Sequence, residues 1–431
     1  MPQLTFDGPG YFSGTLVPPG DKSISHRALL FGALSEGSSC YENFLESEDC
    51  LCTLDALRAM GVSIEHAAGS RKVRIEGDGI HGLKAPAREL YLGNSGTSIR
   101  LLLGILAGQR FEAVLSGDPS LSSRPMRRVT DPLKKMGARI EGKDNANFAP
   151  LTVRGGELRG IEFDNKLSSA QVKSALLFAG LYAEGPTIIH ERVPSRDHTE
   201  RFLGAAGAFF KKEGTCLTVE KSDRLRPFQT KIPGDISSAA FFIAGAAMTP
   251  GSEVIIRDVG LNPTRTGILT VLSRMGADIE FHVTQEVPEP LGEIHIRGKQ
   301  LRGTGIEHAE IPLLIDELPV LMVVMSLADG ESLVSGAAEL RVKETDRIRS
   351  MAQNLKAIGA SVKELSDGCL IKGVGCLRGG KTESFADHRT AMSMAVASLR
   401  TKGSILINGT ECIATSYPGF ESDFKTLFKP L

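Results

Sequence analysis

The residues of this chain best suited to chemistry are cations placed where helices begin. Lys22 and Arg27 lie at one such start, Arg124 precedes Pro125 at a second, Arg196 precedes the segment from His198, and Lys343, Arg347 and Arg389 open later stretches. Helix N-termini carry unpaired N–H groups and a partial positive charge, so a cation there is disfavoured by roughly 0.3–1 kcal/mol and an anion is welcome. Taken singly, each of these residues reads as a solvated surface cation. Taken together, they suit a cleft for small polyanionic ligands gripped by charge-assisted hydrogen bonds. Carboxylates accompany them. Asp316 and Glu317 stand in the mainly apolar run IPLLIDELPVLMVVM, where a carboxylate needs a reason, and Glu344 lies beside Lys343 and one turn before Arg347. As scaffold, Asp316 caps a helix and Glu344 joins an ion-pair network; as chemistry, both are proton donors or acceptors beside an anion site.

Asn94-Ser95-Gly96-Thr97-Ser98 has the make-up of an anion-binding turn. Gly96 permits close backbone approach, and Thr97 and Ser98 can cap the helix; a plain capping turn is an equal reading. No GxxxxGK[ST] motif occurs, and the GxGxxG match at Gly77–Gly82 follows a strand-like KVRIE without a helix after it, so it reads as a hairpin turn. Asp387-His388-Arg389 lacks a Ser or Cys in a nucleophile elbow, which argues against a hydrolase triad. The seven cysteines are scattered, without CxxC pairs, and read as reduced thiols rather than a metal site.

Positioning such groups requires helices that begin in the right places, and the chain supplies them at near-constant intervals. Short polar segments open apolar helical stretches six times; with Lys22, Asn94, Ser168, Ser237, Asp316 and His388 as markers, the steps are 72, 74, 69, 79 and 72 residues. One structural unit is used six times. Between the openings, amphipathic helices end at Gly61, Gly137, Gly207, Gly276 and Gly359, and short alternating strands such as VSIE, ARIE, ADIE and ASVK follow. The sixth unit looks incomplete, since the helix in FESDFKTLFKPL has no strand after it, and residues 4–17 are the candidate to supply one. First and last segments then share a domain, with chain crossings near Gly20 and Pro233-Gly234. Helices apolar all round must be enclosed, three per domain.

A formal net charge of -1 argues against a general nucleic-acid or anionic-membrane binder. The longest apolar run, residues 318–328, is shorter than the roughly 20 residues a membrane-spanning helix needs. Residues 1–21 carry no signal-peptide or transit pattern, so a cytoplasmic location is expected.

PGDKSISHRALLFGALSEG, LGNSGTSIRLLLGILAG, GDPSLSSRPM, SSAQVKSALLFAGL, IDELPVL, RVKETDRI and DHRTAMS together resemble the 3-phosphoshikimate 1-carboxyvinyltransferase (EPSP synthase) family along essentially the whole chain. The resemblance implies an α/β fold of two domains, with six repeated βαβαββ units, three per domain, around buried parallel helices. It implies a discontinuous domain of residues 1–20 plus 235–431, an inserted domain of residues 21–234, and an active-site cleft between them. The implied reaction transfers the enolpyruvyl group of phosphoenolpyruvate to the 5-hydroxyl of shikimate 3-phosphate and releases phosphate. By resemblance, Lys22, Ser23, Arg27, Ser169, Ala170, Gln171, Arg196, Asp316 and Lys343 hold shikimate 3-phosphate, and Lys22, Asn94, Gly96, Arg124, Gln171, Arg347 and Arg389 hold phosphoenolpyruvate. Asp316 is the implied base on the 5-hydroxyl, and Glu344, with Lys22 nearby, the implied proton donor to the phosphoenolpyruvate methylene. No metal or organic cofactor and no nucleic-acid or membrane partner is implied, and a monomer is suggested.

Two places depart from well-known members. Thr415, in CIATSYPGF, stands where they carry a lysine against phosphoenolpyruvate, and SRDHTE stands where they carry a tyrosine against the shikimate ring, so that Arg196 or His198 substitutes for it. Both changes resemble the divergent class II branch. Gly96, in place of a bulkier alanine, implies room for the inhibitor glyphosate. The related family that modifies UDP-N-acetylglucosamine carries KN where Lys22-Ser23 stands and usually a cysteine in the loop before Arg124, which Gly117–Arg124 lacks. RNA 3′-phosphate cyclase relatives, built of similar repeats, would not want Asp316 and Glu344 beside a phosphate site.

Overall fold

Each polar opening is the N-terminus of a buried helix. In the computed structural model, which describes residues 2–166 and 168–431, these helices are α1 (Lys22–Leu34), α2 (Gly96–Ala107), α3 (Ala170–Gly180), α4 (Ile236–Ala247), α5 (Leu318–Leu327) and α6 (His388–Ala397). Every residue of α4, α5 and α6 is buried. Small residues allow such enclosure: a Cβ on Gly104 of α2 would run into the backbone carbonyl of Ala175 in α3, so only glycine lets these helices approach.

The chain divides into two units, each with its own hydrophobic core. Gly20–Ile232 with Val287–Glu289 forms one and contains α1, α2 and α3; Met1–Pro19, Pro233–Glu286 and Pro290–Leu431 form the other and contain α4, α5 and α6.

One sheet pattern repeats through both. Leu90–Tyr91 runs parallel to Glu112–Ser116, which pairs antiparallel with Phe148–Arg154, which in turn pairs antiparallel with Arg139–Gly142. The same parallel, antiparallel, antiparallel order is built on Glu36–Glu42, Thr187–Glu191, Glu253–Gly260 and Glu331–Val334. In the sixth sheet Leu377–Glu383 runs parallel to Thr401–Asn408, whose antiparallel partner is the N-terminal strand Gln3–Phe6. The five helix-ending glycines all have positive φ, the left-handed conformation that stops each amphipathic helix.

Two leading strands are exchanged. Gly10–Leu16 precedes α1 in the chain but runs parallel to Glu253–Gly260, the strand that follows α4. Gln229–Lys231 precedes α4 but runs parallel to Glu36–Glu42, the strand that follows α1. The expectation that no strand follows the last helix is corrected: after Phe420–Leu427, Phe428–Pro430 pairs antiparallel with Gly10–Phe12. Three residues ending in proline carry no strand pattern, and proline is tolerated there because the strand is a sheet edge.

Candidate active site

In the unit that holds α4 to α6, the site is organised by Arg347, the first residue of helix Arg347–Ala357. Its guanidinium is 2% exposed and makes three charged contacts: Nε to Asp387 Oδ2 at 2.8 Å, Nη1 to Asp316 Oδ1 at 3.2 Å and Nη2 to Glu344 Oε2 at 2.6 Å. Burial pulls this group down, but the fields of Asp387, Glu344 and Asp316 outweigh it and hold its pKa above the ordinary arginine value. A buried cation at a helix start, unfavourable alone, is thus neutralised by carboxylates from three other segments. Asp387 also caps α6 by accepting the N–H groups of Arg389 and Thr390 at 2.8 and 3.2 Å. Arg389 reaches back to the Asp316 carbonyl at 3.1 Å, and its Nε lies 3.7 Å from Asp316 Oδ1. The Asp316 carboxylate therefore faces two guanidiniums. Lys343 follows a short 3-10 turn, and burial lowers its pKa against the opposing fields of Asp316 and Glu339.

Asp316 is not a helix cap, as one reading of the sequence had it. Glu317 occupies the cap position of α5 without a side-chain cap, because its carboxylate is taken elsewhere: it accepts from the Ser237 hydroxyl. Ser237 in turn accepts from Arg265 Nη2 at 2.7 Å, and the same nitrogen lies 3.1 Å from Asp235 Oδ1, which also caps α4. The fourth polar opening is thus a buried ion-paired anchor for the residue next to Asp316.

In the unit that holds α1 to α3, hydrogen bonds join the three helix starts. His26 Nδ1 lies 2.8 Å from Thr53 Oγ1, which lies 2.6 Å from Ser98 Oγ, which donates to Ser95 Oγ at 2.6 Å. Ser95, rather than Thr97 or Ser98, caps α2. Thr97 is used across the unit: Gln171 of α3 donates to it at 3.0 Å and accepts from Arg100 Nη1 at 2.6 Å. A Cβ on Gly96 would lie 2.9 Å from Arg100 Nη1 and 3.2 Å from Arg124 Nη1, so Gly96 sits directly against two guanidiniums. Asn94 lies in the same turn, two residues before the start of α2. Arg124 follows the short helix Pro119–Ser122 and bonds Ser120 Oγ at 3.2 Å; the next helix begins only at Arg127, so Arg124 does not open it.

Lys22 Nζ is 3.0 Å from Asp49 Oδ2. Arg27, buried, donates to Thr199 Oγ1 at 2.8 Å, Ser174 Oγ at 2.7 Å and the Ser23 carbonyl at 2.8 Å, tying α1 to α3 and to helix His198–Ala206. Burial brings its pKa down to about 10. Ser169 precedes Ala170 and Gln171 at the start of α3, and its backbone is held on both sides by the Asn165 amide at 3.2 Å. His198 is buried with Nδ1 2.7 Å from Glu289 Oε1, whereas Arg196 is half-buried in the strap before it. Thr415 Oγ1 approaches His388 Nδ1 at 3.4 Å.

Among the described residues no group of three or more His, Cys, Asp or Glu side chains is placed to hold a metal ion, and no helix is long and apolar enough to cross a membrane.

A family model described as EPSP synthase (3-phosphoshikimate 1-carboxyvinyltransferase) matches residues 6–424. The chain belongs to the EPSP synthase family. A 3-phosphoshikimate 1-carboxyvinyltransferase of Alkaliphilus metalliredigens is 49% identical over 417 residues, covering 96% of this chain and 97% of the relative. That of Nitrosococcus oceani is 51% identical over 413 residues, covering 95% and 92%. A solved EPSP synthase from Acinetobacter baumannii superposes with a TM-score of 0.88 at 46% identity, covering 99% of this chain and 98% of that one.

Arg100, Asp49, Arg265 and Glu289 were not singled out in the sequence, and Asp387 was named only within the opening Asp387-His388-Arg389, without its role as partner of Arg347. Arg100 had a signal: a lone charge in the apolar helix SIRLLLGILAG needs a partner. Glu289, in a Pro-rich loop remote from His198 in sequence, had none.

Proposed function

We propose that these residues carry the reaction of the EPSP synthase family, transfer of the enolpyruvyl group of phosphoenolpyruvate to the 5-hydroxyl of shikimate 3-phosphate with release of phosphate, as a cytoplasmic monomer. The observation that bears most weight is Arg347 holding Asp316 and Glu344 at once. Acid–base addition needs two carboxylates beside one anion-binding cation, one to accept a proton and one to donate. Asp316 takes the 5-hydroxyl proton as the oxygen bonds to C2 of phosphoenolpyruvate, and Glu344 delivers a proton to C3, giving a methyl group. The resulting tetrahedral intermediate loses phosphate when C3 returns its proton. Lys22, Asn94, Gly96, Arg124, Gln171, Arg347 and Arg389 hold phosphoenolpyruvate, the four cations among them balancing its charge, while Lys22, Ser23, Arg27, Ser169, Ala170, Gln171, Arg196, Asp316 and Lys343 hold shikimate 3-phosphate. The reading needs both half-sites to act on one substrate pair, in a cleft from which water is excluded.

Phosphate release from the purified enzyme tests it. Release that depends on both substrates and is lost in Asp316→Ala supports the assignment; release with UDP-N-acetylglucosamine in place of shikimate 3-phosphate overturns it.

A further inference from the structure

Glu191, the last residue of strand Thr187–Glu191, is 6% exposed, and the mechanism above does not use it. Both of its oxygens are fully engaged. Oε1 accepts from Ser195 Oγ at 2.5 Å and Asn165 Nδ2 at 3.1 Å, and Oε2 accepts from the Ser195 N–H at 3.2 Å and Lys173 Nζ at 2.9 Å. These partners lead in two directions. Asn165 holds the backbone N–H and carbonyl of Ser169. Ser195 immediately precedes Arg196, and its carbonyl accepts from Lys173 Nζ at 3.3 Å. Ser168 Oγ, accepting from the Val193 N–H at 3.3 Å, closes a second link between the same two segments.

Lys173 is 1% exposed and also pairs with Glu200 at 2.7 Å, so one buried lysine carries two carboxylates. Buried ion clusters contribute little net stability compared with apolar packing, but they can fix geometry. Here the geometry fixed is the spacing between the Ser169 turn and the Arg196 strap, which Glu191 bridges through Asn165 and Ser195 alongside the Ser168–Val193 bond.

We propose that Glu191 is a positioning residue for shikimate 3-phosphate: its carboxylate sets the Ser169 turn and the Arg196 strap at the separation the substrate requires. The inference rests on the reading in which Ser169 and Arg196 hold that substrate. Glu191→Gln keeps the shape but replaces one acceptor oxygen with a donor that faces Lys173 or Asn165. Loss of a charged acceptor predicts about a tenfold rise in KM and Kd for shikimate 3-phosphate, with kcat and the KM for phosphoenolpyruvate within about twofold of the parent. In an Arg196→Ala background the same substitution raises that KM by clearly less than about tenfold, because only the Ser169 side of the pair still carries a contact.

The test is steady-state kinetics with calorimetric titration of shikimate 3-phosphate into the full-length enzyme and its Glu191→Gln, Arg196→Ala and double variants. Equal loss in both KM values and kcat, or additive effects in the double variant, overturns the proposal in favour of a purely structural role. If Arg196→Ala and Ser169→Ala leave the affinity for shikimate 3-phosphate unchanged, the site reading itself fails instead. Should Glu191→Gln not fold, Ser195→Ala removes one contact to Oε1 without disturbing any charge; a selective rise of about threefold in the same KM supports the positioning role, and no rise overturns it.

Discussion

Arg347 Nε lies 2.8 Å from Asp387 Oδ2, and both side chains are essentially buried, at 2% and 0% exposure. The pair joins the start of one helix to the cap of α6, which carries Arg389. One contact therefore orients both guanidiniums that face Asp316.

Asp387→Asn retains the shape and the capping oxygen but leaves Arg347 short of one negative charge. Breaking a buried pair by removing one partner costs about 3–5 kcal/mol. Chemical denaturation should register a loss of that size, and kcat/KM should fall with it; an unchanged midpoint would mean the pair contributes nothing.

Arg265→Met separates anchoring from binding. It strips Asp235 and Ser237 of the cation beside them, so stability falls by a comparable few kcal/mol. Arg265 is assigned no ligand contact, so KM for both substrates stays near the parent value in the folded fraction. A selective rise in either KM would assign it to the binding site.

Gly96→Ala adds a methyl group within 2.9 Å of Arg100 Nη1 and 3.2 Å of Arg124 Nη1. One methyl in a tight pocket is worth roughly 1–3 kcal/mol, so KM for phosphoenolpyruvate rises about tenfold while that for shikimate 3-phosphate moves less. Millimolar glyphosate is expected to inhibit the parent enzyme and to inhibit this variant less. Dose–response curves that superimpose would refute the crowding argument.

His26 is buried against Thr53, and burial, with Lys22 and Arg27 nearby, pushes its pKa from 6.5 down to about 3. The unfolded chain takes up the proton near pH 6.5 and the folded chain only near 3, so stability present above pH 6.5 is lost as pH falls through that window. The slope from this residue is at most about 1.4 kcal/mol per pH unit. Unfolding free energies measured at pH 7 and 5 should converge for His26→Asn, which cannot titrate; an identical pH slope in both proteins would contradict the assignment.

Much of the scaffold was legible because its signals are local. A polar cap before an apolar helix, and a glycine after an amphipathic one, each lie within a dozen residues, and the repetition of α1 to α6 could be read directly. What escaped was non-local or hidden in chemistry that sequence patterns average out. The cap of α2 is Ser95, while Thr97 lies inside the helix and takes a bond from Gln171, some seventy residues away. Glu191 and Arg265 look like surface charges until their partners, Asn165 and Ser195 or Asp235 and Ser237, come together around them. The strand Phe428–Pro430 has too few residues for any period to emerge.

The exchange of leading strands has a consequence in time. A chain made in the N-to-C direction completes every strand and buried helix of the Gly20–Ile232 segment once residue 232 has emerged, and that segment, still without Val287–Glu289, can close while synthesis continues. Gly10–Leu16 must wait for Glu253–Gly260, and Gln3–Phe6 for Thr401–Asn408. At ~5–20 residues per second, the N-terminal strand spends on the order of tens of seconds without its partner. Residues made early are thus among the last to be paired, and through that interval their unpaired edges depend on whatever shields a nascent chain.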